Sequence, residues 1–189
     1  MRDIVFPDNN EARFIKMAEL LGYSKLVFVY ANRNDADFDS AKIKVEKAIL
    51  SKPSEVNRLN GALIVESSGY DRQMFESKRV NIIFNLENQK RDSMHYRNSG
   101  LNQVLCKLAN KNNIKIGVAL SNLFRADDML LSQLLGRVMQ NIVLCRKYKV
   151  DIVLASFAHA PYEMRAPRDI ISLGICLGMH QSDAKRAVN

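Results

Sequence analysis

Apolar β-type runs and helical patterns alternate along the whole chain, and that alternation constrains the fold more than any other feature. The runs are Asp3–Phe6, Lys25–Ala31, Gly61–Val65, Val80–Phe84, Ile114–Leu120 and Asp151–Ala155. Several are near-continuous in Val, Ile, Leu and Phe, as in strands buried on both faces of a parallel sheet. Helical patterns lie between them. Residues Asp8 to Glu11 resemble a capping box with Asp in place of Ser or Thr. They open a helix with Phe14, Ile15, Ala18 and Leu21 on one side and Gly22 as its stop. Leu101–Asn110 repeats Leu101, Val104, Leu105 and Leu108 at helical spacing. The longest pattern, Leu130–Tyr148, carries Leu131, Leu134, Leu135, Val138, Ile142 and Cys145 on one stripe. Repeated βα units predict an α/β fold with a parallel sheet, either doubly wound or closed as a barrel. Six clear strands, with room for a seventh, fall short of an eight-stranded barrel of about 250 residues. Residues Asn32–Asn57 break the rhythm. Ala41–Leu50 reads as a helix ended by Pro53, a helical crossover inside a single domain spanning 1–189.

Charge points to the class of partner. The net charge is +8 and the pI about 9.5, which favours polyanions by long-range attraction, nucleic acid above all. The cysteines Cys106, Cys145 and Cys176 are widely spaced and fall on apolar helix faces, so they read as reduced core thiols of a cytoplasmic protein. No apolar run approaches the roughly 18 residues that span a bilayer, and the first residues turn polar too soon for a signal peptide.

Enzymatic chemistry finds little support. The histidines are His95, His159 and His180, and no two share ligand spacing on a strand or helix. His180 is expected to follow a helix C-terminus. Ser67, Ser68, Ser121 and Ser156 follow strands, but none lies in a nucleophile elbow; such positions usually cap the next helix. No phosphate-binding glycine loop is present.

Basic loops remain. Lys90, Arg91 and Arg97 surround His95 and Tyr96 ahead of Asn98-Ser99-Gly100 and a helix. Arg79 precedes a strand and Arg125 follows one; Arg137, Arg146 and Lys147 belong to the long helix, and Lys149 follows it. Arg165 and Arg168 flank Pro167, a residue suited to a first helical turn. Free helix amides beside a guanidinium make a phosphate grip. The candidate RNA-binding set is therefore Arg79, Arg91, His95, Arg97, Arg125, Lys147, Arg165 and Arg168.

Several segments, in order, resemble the archaeal ribonuclease P protein component 3 family, related to the 30-kDa subunit of the eukaryotic enzyme. They are Arg79–Phe84, Arg97–Asn102 with the helix through Ala109, Ile116–Phe124, Cys145–Tyr148, Glu163–Ile170 and Leu177–Met179. Ala158-His159-Ala160 departs from the pattern, where a small or polar stretch is expected. The resemblance implies a distorted TIM-like barrel of about seven parallel strands, similar to the polymerase-and-histidinol-phosphatase superfamily. That superfamily begins with His-x-His on its first strand; Asp3 to Pro7 contains no histidine, so the metal ligands are absent. The implied role is that of a non-catalytic protein subunit of a ribonucleoprotein endoribonuclease. Its partners would be the ribonuclease P RNA, precursor tRNA as substrate and a second small protein subunit in a two-plus-two assembly. The chain would bind no cofactor; Mg2+ would serve the RNA. Two other readings stay open: a stand-alone metal-dependent phosphoesterase, and an enzyme for a phosphorylated small molecule gripped by Arg165 and Arg168.

Overall fold

A computed structural model describes residues 1–32, 38, 40, 42–52, 54–56, 58–68, 72–89, 92, 95 and 97–189. Seven strands pair in parallel, each with the next in the chain: β1 (Arg2–Val5), β2 (Lys25–Tyr30), β3 (Lys44–Leu50), β4 (Leu63–Glu66), β5 (Val80–Phe84), β6 (Lys115–Ala119) and β7 (Ile152–Ala155). The spatial order never reverses. A doubly wound sheet has such a reversal at its switch point, so this is the singly wound arrangement of a TIM-like barrel. The helices are α1 (Glu11–Leu21), α2 (Arg72–Glu76), α3 (Gln103–Asn112), α4 (Leu120–Arg125), α5 (Asp128–Tyr148), α6 (Pro167–Cys176) and α7 (Gln181–Ala187). Among the described residues no helix is long and apolar enough to cross a membrane.

The barrel is nearly closed. One parallel bridge joins Val5 to Ala158, with Phe6 N donating to Ala158 O at 2.8 Å. Ala158 therefore carries the seam, and it is fully buried there. Beside it the buried Asp3 carboxylate accepts from Ser156 N (2.6 Å) and Ile4 N (2.9 Å). Burial pushes the Asp3 carboxyl up to about 6, against the lowering effect of those bonds.

The interior is filled by alternate residues of the strands, among them Ile4, Val27, Val29, Ala48, Ile64, Ile82, Phe84 and Val153. Gly117 on β6 has a steric reason: a Cβ there would sit 2.8 Å from Phe84 Cβ and 3.1 Å from the Phe157 ring. Two further apolar clusters pack between the sheet and the surrounding helices.

Four expectations are corrected. Residues Lys44–Leu50 form β3, not a helix. Ala, Lys, Glu and Leu are good helix formers, but six residues of this segment pair in register with β2, and Glu46 meets Lys25 at 2.8 Å. Non-local pairing overrides local propensity. The Asp8 capping box does not form; α1 begins after Asn10, which has no side-chain cap bond. Gly22 does stop α1, with φ at 79° and its N–H bonded to Ala18 O and Glu19 O. Cys176 is exposed, unlike Cys106 and Cys145. His180 immediately precedes α7, a helix that the periodicity did not reveal. Pro53 lies outside the described residues.

Candidate nucleic-acid interface

In a parallel barrel every loop that follows a strand emerges at the same end, the usual location of active and binding sites. That rule sorts the basic residues. His95 and Arg97 follow β5, Arg125 ends α4 after β6, and Arg165 and Arg168 follow β7. Arg79 precedes β5 and Lys147 lies in the last turn of α5 before β7. These two sit at the opposite end and do not join the others. Arg79 donates to Leu59 O at 3.3 Å, and the Lys147 ammonium lies 5.7 Å from the Tyr148 ring centre. Arg91 lies outside the described residues, as do Lys90 and Tyr96.

The segment after β7 builds a basic and aromatic strip. Glu163 is its organiser. One carboxylate oxygen accepts Nε (3.0 Å) and Nη2 of Arg125; the other accepts the amides of His159 (2.9 Å) and Ala160 (3.3 Å). Burial works to raise the Glu163 pKa, but the Arg125 bond, the two amides and the Arg125 charge outweigh it and hold the carboxyl below its usual value. Arg165 donates to Tyr162 O (3.0 Å) and Met164 O (2.9 Å), and its guanidinium lies 4.7 Å over the Phe124 ring. It has no carboxylate partner among the described residues. Its own carbonyl accepts the hydroxyl of buried Tyr23 at 2.8 Å, which ties the loop to the core. Arg168 stands in the first turn of α6, exposed and without a side-chain hydrogen bond among the described residues. Phe124 is 50% exposed and Tyr162 75%. Cationic heads interleaved with exposed rings can hold a phosphate backbone and stack its bases.

The loop after β5 is held down by α5. Arg137 is fully buried, with its Nη1 donating to Glu87 O (2.9 Å) and Gln89 O (2.7 Å) and its Nε to Asp92 Oδ1 (2.9 Å). Asp92 also accepts Asn98 N at 2.7 Å. Slight burial raises the Asp92 pKa, but the bonds from Asn98 and Arg137 and the nearby Arg97 charge bring it below its usual value. Asn141 donates to Ser99 O at 3.0 Å. Gly100 has φ of 74°, and a Cβ there would lie 2.1 Å from Leu86 O, so only glycine fits this turn. Arg97 is not beside the α3 amides as its sequence position suggests. Asn102 caps α3 by accepting Leu105 N at 3.0 Å, while Arg97 lies over Gly136 of α5, its Nη1 3.5 Å from Gly136 O.

Sequence reasoning places Arg137 on the long helix without assigning it this role. The signal was available: position 137 falls three residues after Leu134 and four before Asn141, inside the apolar stripe of α5. Phe124, Tyr162 and Glu163 carried no local signal, since their roles depend on α4 and the β7–α6 loop meeting. Among the described residues no group of three or more His, Cys, Asp or Glu could hold a metal ion.

Comparison with known proteins agrees with this frame. The sequence model of the family described as RNase P subunit p30 matches residues 72–189, more than half of the chain. Ribonuclease P protein component 3 of Methanosarcina acetivorans is 34% identical over 108 residues, covering 55% of this chain and 45% of that protein. The Methanosarcina barkeri protein of the same name is 26% identical over 199 residues, covering 96% of this chain and 80% of its own. Thus the alignment spans about half the length of the first relative and most of the second. A solved structure titled "cryo-EM structure of archaeal Ribonuclease P with mature tRNA" contains a similar chain: TM-score 0.77, 20% identity, covering 99% of this chain and 86% of that one. At that identity the likeness concerns the fold, and it matches the seven-stranded, nearly closed barrel. With the family match spanning both the β5 loop and the strip after β7, the chain belongs to the ribonuclease P subunit p30 family.

Proposed function

We propose that this chain acts as a protein subunit of ribonuclease P, binding and ordering the catalytic RNA that removes the 5′ leader from precursor tRNA. The observation that carries the reading is the strip of Arg125, Arg165 and Arg168 among exposed Phe124 and Tyr162, on a chain of net charge +8. Arg125 is held by the Glu163 carboxylate and Arg165 by two carbonyls and the Phe124 ring, while Arg165 and Arg168 have no carboxylate partner among the described residues and keep their charge for an anion. The RNA supplies the chemistry and takes the Mg2+; the protein neutralises phosphates. A second small protein subunit, in a two-plus-two assembly, and a cytoplasmic setting complete the proposal.

RNA affinity should be strongly salt-dependent. Neutralising about four to six phosphates predicts a slope of roughly −3 to −5 in log K against log salt. Titration of ribonuclease P RNA between low and physiological salt measures it, and a slope near zero would remove the electrostatic basis of the reading. Within that affinity, Arg165→Ala and Arg168→Ala are each expected to lose roughly 1–3 kcal/mol, while Lys recovers only part because it lacks the planar fork. Arg79→Ala and Lys147→Ala, at the other end of the barrel, should lose much less. Equal losses at both ends would show that charge alone, and not this strip, sets binding.

A further inference from the structure

Among the described residues, the strand-end mouth of the barrel is only partly plugged. Phe84 and Phe157 stack at 4.6 Å and 15°, and Phe6 leans on them at 6.0 and 6.1 Å. A cavity of about 80 Å³ remains, bounded by Phe6, Glu66, Asn85, Asn122, Phe157 and His159 with their neighbours. The exposed His159 ring lies flat on Phe6, with centroids 4.7 Å apart and planes at 12°. The arrangement gives the mouth an aromatic plate.

The polar side of the cavity is directional. Asn85 donates its Nδ2 to Glu66 Oε1 at 2.7 Å, as an amide nitrogen can only donate. Asn85 Oδ1 then faces Asn122, whose Nδ2 donates at 2.6 Å. That order leaves no freedom for an amide flip. Asn85 holds φ of 62° to make both bonds, a conformation Asn tolerates better than most residues. Glu66 Oε2 and Asn122 Oδ1 are left without partners among the described residues. The mouth thus offers acceptors beside an aromatic plate, and it excludes ligands that bring only acceptors. The matching ligand is flat, aromatic and edged with N–H donors. The cavity volume admits the edge of such a ring and leaves the rest outside against His159.

We propose that the barrel mouth receives the edge of an unpaired guanine of the bound RNA, stacked on His159 and read by Glu66 with Asn122. Guanine alone among the four bases presents two adjacent donors, N1–H and the 2-amino group, to one carboxylate; adenine and cytosine present an amino group and uracil a single N–H. The Arg125–Glu163 pair fixes the backbone amide of His159, so the plate is positioned by the same strip that meets phosphate. This inference rests on the RNA-binding reading and narrows it: the strand entering the mouth is single-stranded, as base stacking on a side chain requires.

The test uses the full chain and labelled single-stranded hexamers in fluorescence anisotropy. One hexamer carries a guanine in a uridine run, one carries inosine at that position, and one is all uridine. Guanine is expected to bind about tenfold tighter than uridine, with inosine between them because it lacks the 2-amino group. Glu66→Gln should abolish the preference, since the amide both donates and accepts, and thermal melting of that variant should match the parent. His159→Ala should weaken every hexamer, guanine most. Equal affinities of the parent protein for the three hexamers, still salt-dependent, would overturn the guanine site and leave the RNA reading intact. Failure to bind either the hexamers or ribonuclease P RNA would overturn both.

Discussion

Arg137→Ala is expected to destabilise the protein by about 3–5 kcal/mol, the range for a large buried side chain whose removal orphans its partners. The guanidinium fills a fully buried position on α5 and satisfies Glu87 O, Gln89 O and Asp92 at once. Alanine leaves two carbonyls unpaired, a void in α5 and nothing to fold the β5 loop around. For a chain of this length about 1 kcal/mol corresponds to roughly 2–4 °C in melting temperature, so the loss is easily read. Arg137→Lys should rescue poorly, because one ammonium cannot reach three acceptors in a fork. RNA affinity should fall as well, since the same loop carries His95 and Arg97. Hydrogen exchange would locate the damage to residues 85–102. A melting change below about 1 kcal/mol would mean the loop is held by other contacts, such as Asn141 to Ser99.

Glu87→Gln is expected to stabilise the protein at pH 8 and to change it little near pH 5. The Glu87 carboxyl is buried, and both its oxygens lack partners among the described residues. Burial raises its pKa from 4.5 to about 7, against a smaller lowering influence of its own backbone amide, which lies outside hydrogen-bond geometry. The folded state therefore holds this proton more tightly than the unfolded chain does. Stability is greatest below about pH 4.5, falls as pH rises through the folded value near 7, and stays low above it. At about 1.4 kcal/mol per pH unit the penalty at pH 8 is on the order of 3 kcal/mol. Glutamine is a neutral near-isostere and removes it. Asp3 supplies an internal control, since its folded pKa near 6 produces a separate decline between about 4 and 6 that the variant should retain. Melting curves across pH 4–8 for parent and variant decide the matter. Parallel profiles would show that Glu87 ionises with the same pKa in the folded and unfolded states.

Much of the barrel was legible in the sequence because its strands are buried on both faces. Burial demands continuous Val, Ile, Leu and Phe, and those runs mark β1, β2, β4, β5, β6 and β7. Helices α1, α3 and α5 were equally legible from apolar stripes, with Gly22 marking the end of α1, and Pro167 marked the start of α6. The missing strand, β3, is the instructive failure. Its residues would serve a helix as well as a strand, and only β2 and β4 on either side decide for the strand. The candidate site divides in the same way. The sequence shows the residue types available to it: arginines in several loops and three scattered histidines. Their grouping was not legible, because sequence distance does not say at which end of a barrel a side chain emerges. The parallel topology sends Arg125, Arg165 and Arg168 to one end and Arg79 and Lys147 to the other. Only packing reveals that Arg137 is an internal strut, and that Phe6, His159, Glu66 and Asn122 meet at one mouth. By itself the sequence determined composition, local periodicity and the family. Tertiary structure decided which charges face solvent, because burial is a property of what an element packs against and not of the element alone.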